Sequence, residues 1–303
     1  MSDTISGQNI LITGGAGFIG SHLADALIAE NHVSILDNFS TGGYENVNPE
    51  ITVLEGDIRD ESTVTEAMEG VDVVFHEAAL VSVNKSVDDP RLSHDTNATP
   101  TLSILEAARK NDARVVTASS SAIYGHPESV PVTEPDPKSP TSPYGVDKLY
   151  LDHQTCLYND LYDLPTVSLR YFNAYGPRQR GGPYSGVISI FADQLKTGDP
   201  LTVHGDGSQT RDFVHVDDIV QANLLAAETN AVGEAFNIGT AESISIKKLA
   251  ELMRNQAESD SEIVHTEERT GDIERSVADI QKAREELGYE PTVKLSEGIE
   301  DVL

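Results

Sequence analysis

Asn9-Ile-Leu-Ile-Thr-Gly-Gly-Ala-Gly-Phe-Ile-Gly-Ser-His-Leu-Ala-Asp-Ala-Leu-Ile28 is the stretch that decides the fold. A short apolar, β-branched run feeds directly into three glycines at three-residue spacing, Gly14, Gly17 and Gly20, and then into an apolar-periodic segment from Ser21. That order reads as strand, tight turn, helix. In such a turn one glycine permits the bend, another lets the backbone approach a pyrophosphate, and a third lets helix and strand pack closely. The phosphates then rest on unpaired N–H groups at the helix start. The loop is therefore a dinucleotide site built from Gly14, Gly17, Phe18, Ile19 and Gly20, although its G-x-x-G-x-x-G spacing departs from the ordinary G-x-G-x-x-G fingerprint.

Working outward, the next apolar run, His32-Val-Ser-Ile-Leu-Asp37, ends in an acid about twenty residues past the glycines, where a carboxylate accepts the adenosine ribose hydroxyls. A 2′-phosphate there would meet a like charge. Asn38, Ser40, Thr41 and Gly42 follow with no Arg or Lys among them, so the cofactor is expected to be NAD, not NADP. Asp57 and Ile58, after the strand Ile51 to Leu54, stand where the adenine edge would lie; alternatively Asp57 caps a helix. Val71 to Phe75, Arg114 to Thr117 and Thr166 to Leu169 continue an alternation of strands with helices. This predicts an α/β fold with a Rossmann-type, doubly wound parallel sheet, followed by a smaller C-terminal lobe of short elements and Gly/Pro loops.

Two segments carry the chemistry. Thr117-Ala-Ser-Ser-Ser-Ala-Ile-Tyr-Gly125 closes a strand with a serine cluster, and Pro143-Tyr-Gly-Val-Asp-Lys148 opens a helix. A phenol near pH 10 and an ammonium near 10.4 are poor bases alone. Four residues apart on one helix, however, the Lys148 cation is placed to favour the Tyr144 phenolate. A surface pair would show the same spacing; the nucleotide loop upstream selects catalysis.

Thr13 to His22, Asp37 to Gly42, Gly56-Asp-Ile-Arg59, His76-Glu-Ala-Ala79, Ser119 to Gly125, Tyr144 to Lys148, Leu169 to Arg178, Gly205 to His215 and Arg269-Thr-Gly-Asp272 occur in order along nearly the whole chain. In these the sequence resembles the extended short-chain dehydrogenase/reductases, in their nucleotide-sugar epimerase/dehydratase branch, with most likeness to the UDP-glucose 4-epimerases. The resemblance implies Ser120, Tyr144 and Lys148 as the catalytic set, with Ala78, Ala79, Asn97 and Phe172 joining the NAD site. Substrate would be held by Ser121, Asn173, Arg211, Arg269 and Asp272, with Val187, Ile188 and Val203 flanking the base. Arg211 could instead pair with Asp212, and Asn173 could be a turn residue. Small Ser276, seven positions after Arg269, would line the wall beside the sugar's C2 substituent or simply begin a strand. The resemblance further implies a domain boundary near residues 172 and 173, with segments around 214–238 returning to the first domain, and a homodimer.

Dehydratases of this branch carry Asp and Glu after the catalytic Ser/Thr; here Ser121 and Ala122 stand there. A 4-epimerase is therefore the expected activity, with a dehydratase, a 4-ketoreductase or a non-catalytic NAD sensor as alternatives. Ala98-Thr-Pro-Thr101 departs from the Gly-Thr usual after Asn97, and Leu80-Val-Ser-Val83 fits the nicotinamide loop loosely.

The 303 residues carry 50 acidic against 21 basic side chains, a net charge of −29. Such a field repels nucleic acid and anionic membranes, and it suits molar salt, where screening acts over about 3 Å. A halophilic origin is expected. No apolar run reaches membrane-spanning length and no signal peptide is evident, so a cytoplasmic location is expected. Lone Cys156 cannot form an internal disulfide, and the nine His show no metal-ligand spacing, so no metal site is expected.

Overall fold

The computed structural model describes residues 5–180, 186–268, 271 and 273–303. The first half builds β1 (Asn9–Thr13), α1 (Phe18–Leu27), β2 (His32–Asp37), β3 (Thr52–Glu55), α2 (Glu61–Ala67), β4 (Val73–His76), α3 (Val83–Asp88), α4 (Pro90–Asn97), α5 (Thr99–Asn111), β5 (Arg114–Ser120), α6 (Pro143–Tyr162) and β6 (Thr166–Tyr171). The second contributes β7 (Asn173–Tyr175), α7 (Val187–Thr197), β8 (Leu201–His204), β9 (Thr210–Arg211), β10 (Phe213–His215), α8 (Val216–Glu228), β11 (Glu234–Ile238), β12 (Ile244–Ser245), α9 (Ile246–Gln256), β13 (Ile263–Thr266), β14 (Arg275–Ser276), α10 (Gln281–Leu287) and α11 (Leu295–Gly298).

Seven strands form one sheet in the order β11-β6-β5-β4-β1-β2-β3, with every pairing parallel. The inner strands are covered on both faces, which is why segments such as β4 and β6 read as unbroken buried runs, whereas β3 at the sheet edge is only partly buried. Ile10, Ile12, Phe75, Val116 and Leu169 pack toward α1 and α8, while Leu11, Val74 and Val115 pack the other way toward α2 and α5. β5 runs three residues beyond the expected Thr117, because pairing with β6 continues to Ser120 opposite Tyr171. A third cluster, including Tyr175, Phe191, Val203, Leu249 and Met253, forms the core of the second lobe. There β12, β9 and β14 make a small sheet, and β13 pairs with β8. No helix among the described residues is long and apolar enough to cross a membrane.

Candidate active site

At the end of β1 the chain turns through Gly14, at φ +71°, where a side-chain carbon would lie 2.8 Å from the Ala78 backbone. A carbon on Gly20 would lie 2.3 Å from the Gly14 carbonyl oxygen. The loop is thus folded back against both β4 and its own helix. α1 begins after Gly17 with no side-chain cap, so its first N–H groups remain available for an anion. Asp37, buried at the end of β2, accepts from Ala16 N at 3.0 Å and from Phe39 N at 2.8 Å, one bond per oxygen, which leaves each oxygen a further lone pair. The following loop is strapped to the glycines as well: Gly43 N and Asn46 Nδ2 both donate to the Ala16 carbonyl. A tight glycine cradle, an uncapped helix start and an acid at the second strand are the parts a dinucleotide needs, and these residues fit NAD.

Asp57 takes hydrogen bonds from Asn38 at 2.9 Å and from the Arg59 guanidinium at 2.9 and 2.7 Å. The Arg59 bond holds its carboxyl well below the usual range. The cap of α2 is Asp60, which accepts from Ser62 N, so Asp57 is not the cap. A cavity of about 490 Å³ lies beside it, lined by Asp57, Ile58, Arg59, Asp95, Thr99 and Pro100.

On the opposite side of the glycines, Ala78 N donates to Thr13 Oγ1. Buried Asn97 binds Leu80 twice: its Oδ1 accepts from Leu80 N at 2.7 Å and its Nδ2 donates to Leu80 O at 3.1 Å. Asn97 therefore fixes the 78–80 loop, a positioning contact that no sequence pattern displays.

The helix α6 starts with Ser142 as cap, accepting from Gly145 N at 3.1 Å, and Ser86 Oγ accepts from Tyr144 N at 3.1 Å. Gly145 is needed for proximity: a side-chain carbon there would stand 2.8 Å from the Ala122 carbonyl, in the turn just after Ser120. The close approach brings the Ser120 turn to the head of α6, where Ser120 pulls the Tyr144 phenol's pKa down. Lys148 Nζ donates to the Ala118 carbonyl and lies 5.9 Å from the centre of the Tyr144 ring. Burial pushes the Tyr144 phenol up, against the pull of Ser120, and pushes Lys148 down to about 8, against the pull of Glu77 and Asp147. Desolvation is the larger effect on both groups, and Lys148 is not among the influences on the phenol, so the expected help from its cation is not seen in the phenol's own shift.

Asp147 ties α6 to α4, accepting from Ser93 Oγ at 2.6 Å and lying 3.0 Å from His94 Nδ1. Asp152, one turn past Lys148, ties it to β6 through Arg170, with contacts of 3.0 and 2.7 Å. Arg170 also donates to Tyr124 Oη at 2.8 Å and to the Glu134 carbonyl at 3.0 Å.

In the second lobe, Arg211 on β9 stands in register with Ser276 on β14. Asp212 is fully buried, and its carboxylate accepts from Thr240 N and Oγ1, Ala241 N and Ala278 N. Asn173 donates its Nδ2 to the Asp212 carbonyl at 2.8 Å. Ile188 and Val203 are buried in the lobe's core, Val187 packs against it, and Phe172 is buried in the main core. Arg269 and Asp272 lie outside the described residues. No group of three or more His, Cys, Asp or Glu among the described residues is placed to hold a metal.

The family described as GDP-mannose 4,6 dehydratase matches residues 11–302. The chain is 38% identical over 298 residues to a UDP-glucose 4-epimerase of Mycolicibacterium smegmatis, covering 95% of both. It is 37% identical over 312 residues to a UDP-N-acetyl-alpha-D-glucosaminuronate decarboxylase of Bacillus cytotoxicus, covering 98% of this chain and 97% of the other. Among solved structures, UDP-N-acetylglucosamine 4-epimerase from Methanobrevibacter ruminantium superposes with TM-score 0.95 at 36% identity, over 98% of this chain and 97% of that one. UDP-glucose 4-epimerase of Thermus thermophilus in complex with NAD superposes with TM-score 0.90 at 37% identity, over 97% of each.

Proposed function

This chain belongs to the NAD-dependent nucleotide-sugar epimerase and dehydratase family of extended short-chain dehydrogenase/reductases, and we propose that within it the protein is a UDP-sugar 4-epimerase. The observation that carries the reading is the junction of Ser120, Tyr144 and Lys148 at the head of α6, followed by Ser121 and Ala122, which offer no acid or base for eliminating water. Bound NAD supplies hydride acceptance and return at the sugar's C4. Tyr144, as phenolate, takes the 4-hydroxyl proton and gives it back after the keto sugar has turned its other face. Ser120 orients that hydroxyl beside Tyr144, and Lys148 supplies the nearby positive charge. Glycines 14, 17 and 20, with Phe18 and Ile19, hold the pyrophosphate, and Asp37 holds the adenosine ribose.

Arg211 and Arg269 grip the substrate diphosphate, since planar guanidinium groups bind phosphate oxygens two at a time. Ser276, on the strand beside Arg211, forms the small wall that admits an N-acetyl group at C2. Purified protein is to be incubated with UDP- and dTDP-linked hexoses and the products identified. C4 epimers of UDP-glucose and UDP-N-acetylglucosamine, without net NADH, are expected; dehydrated, decarboxylated or net-reduced sugars would overturn the assignment. Ser276→Tyr should weaken turnover of the N-acetyl sugar selectively, and equal loss on both substrates would remove Ser276 as the wall.

The assembly is a homodimer. On α6, exposed Val146, Leu157 and Leu161 lie along one face, and Leu102 of the adjoining α5 is exposed nearby. Light scattering should give twice the chain mass. The NAD domain comprises residues 1–172 with β10, α8 and β11, the remainder being the substrate lobe. The acidic surface belongs to a protein of salt-rich cytoplasm.

A further inference from the structure

We infer that Glu77 is a positioning residue of the reaction: its carboxylate, fixed at the end of β4, is the counter-charge that keeps Lys148 cationic beside Tyr144. This rests on Tyr144 being the base.

Glu77 extends β4 by one residue, its N–H donating to the Thr13 carbonyl at 3.2 Å, next to the Gly14 turn. His76 and Thr117 form the last pair of β4 and β5, so Glu77 and Ala118 each follow directly at the same end of the two strands. Ala118 is the residue whose carbonyl receives the Lys148 ammonium. Both charges are thereby brought to the same end of β5. The carboxylate is held from the far side: Tyr171 Oη donates to Glu77 Oε1 at 2.9 Å, and Asn223 Nδ2 donates to Tyr171 Oη at 2.8 Å while also binding the Ile219 carbonyl. The Asn223 bond commits the tyrosine proton to Glu77. α8, β6 and β4 together thus orient one acid.

An acid in this place is costly, since burial pushes Glu77 up to about 7 against the Tyr171 bond and the Lys148 charge. Lys148 is the group that gains. Glu77 is the larger of two influences holding it up, Asp147 being the other. Of the remaining titratable neighbours, His76 is pushed down to about 3 by burial and is neutral, and Tyr171 is raised well above its ordinary range. Tyr144 responds to burial and Ser120, and directly to neither Glu77 nor Lys148; Lys148 bears on it as the competing proton donor 5.9 Å from its ring. When the Tyr144–Lys148 pair loses its first proton, either residue can supply it. The charge on Glu77 favours loss from the phenol, which is the reactive form.

The test is an ultraviolet phenolate titration of NAD-loaded protein with the Tyr144→Phe variant subtracted, alongside the pH profile of kcat. Glu77→Gln keeps an acceptor for Tyr171 and removes the charge. Its Tyr144 phenolate fraction in mildly alkaline buffer should fall about threefold, equivalent to half a pKa unit, and the alkaline limb of kcat should move to lower pH. NAD content and melting temperature should hold. Glu77→Asp, which keeps the charge, should stay within about twofold of wild type. An unmoved titration in Glu77→Gln overturns the inference, as does Glu77→Asp performing no better than Glu77→Gln. If Glu77→Gln fails to fold, Glu77→Asp decides alone, and a loss beyond that twofold is the refuting result. If the wild type shows no low-lying phenolate belonging to Tyr144, the base reading falls and this inference falls with it.

Discussion

Replacing Asp152 by Leu, Arg170 by Met, and both together isolates the clamp that holds the catalytic helix on the sheet. Asp152 and Arg170 are almost fully buried and bonded twice, with Ser168 Oγ adding a third bond to the carboxylate at 2.8 Å. Burial raises the Asp152 carboxyl, but the Arg170 guanidinium more than reverses this and holds it low. Removing either partner leaves an uncompensated buried charge, at a cost of about 3–5 kcal/mol. With about 2.1 cal/mol/K of unfolding entropy per residue, that lowers the melting temperature of a chain this long by roughly 5–8 °C. The double variant has no orphaned charge and should sit within about 2 kcal/mol of wild type, because apolar replacement of a buried pair is often neutral. Thermal melts of NAD-loaded protein in molar KCl measure all four corners of the cycle. Single variants losing under about 1 kcal/mol, or a double variant losing the sum of the two, would refute the clamp. Asp152 is two turns from Tyr144 and one from Lys148, so the single variants should also lose turnover.

Tyr144→Phe keeps the ring's packing and removes the proton acceptor; turnover should fall about a hundredfold or more with the melting temperature preserved, and near-normal turnover would exclude Tyr144 as the base. Calorimetry should show tighter binding of NAD than of NADP, because Asp37 opposes a 2′-phosphate; the reverse order would show that another residue compensates. Raising KCl from low to molar concentration should raise both melting temperature and activity by screening repulsion among the 50 carboxylates, and a flat response would remove the halophilic reading.

The glycine loop, Asp37 and the Tyr144–Lys148 spacing were legible because local patterning determines them: each is a short segment whose backbone or helical period fixes what its residues face. The clasp of Asn97 on Leu80 was not legible, since an amide binding both backbone groups of a residue 17 positions away leaves no periodic trace. Asp212 was weighed only as a partner for Arg211, whereas its carboxylate gathers donors from residues 240, 241 and 278, a meeting that only the folded path of β9, β11 and β14 creates. Glu77 sits inside the His76–Ala79 motif, where local pattern assigns it no role. The available signal was an acid directly after a fully buried strand, but the hydroxyl holding it comes from Tyr171, 94 residues on. Ser86 escaped notice for the same reason, 58 residues from the Tyr144 amide it receives.

The placement of β11 at the edge of the main sheet, beside β6, has a consequence for biosynthesis. A ribosome that has made residue 171 has finished six neighbouring strands, yet the outer edge of the sixth stays bare until residue 238 has left the exit tunnel. At about 5–20 residues per second that interval lasts roughly 3–13 s. Throughout it Val167 and Leu169, completely buried in the finished protein, border an open row of hydrogen-bonding groups. The nascent chain is at its most adhesive during those seconds, and truncations placed between β6 and β11 should leave an aggregating half-sheet instead of a free-standing nucleotide domain.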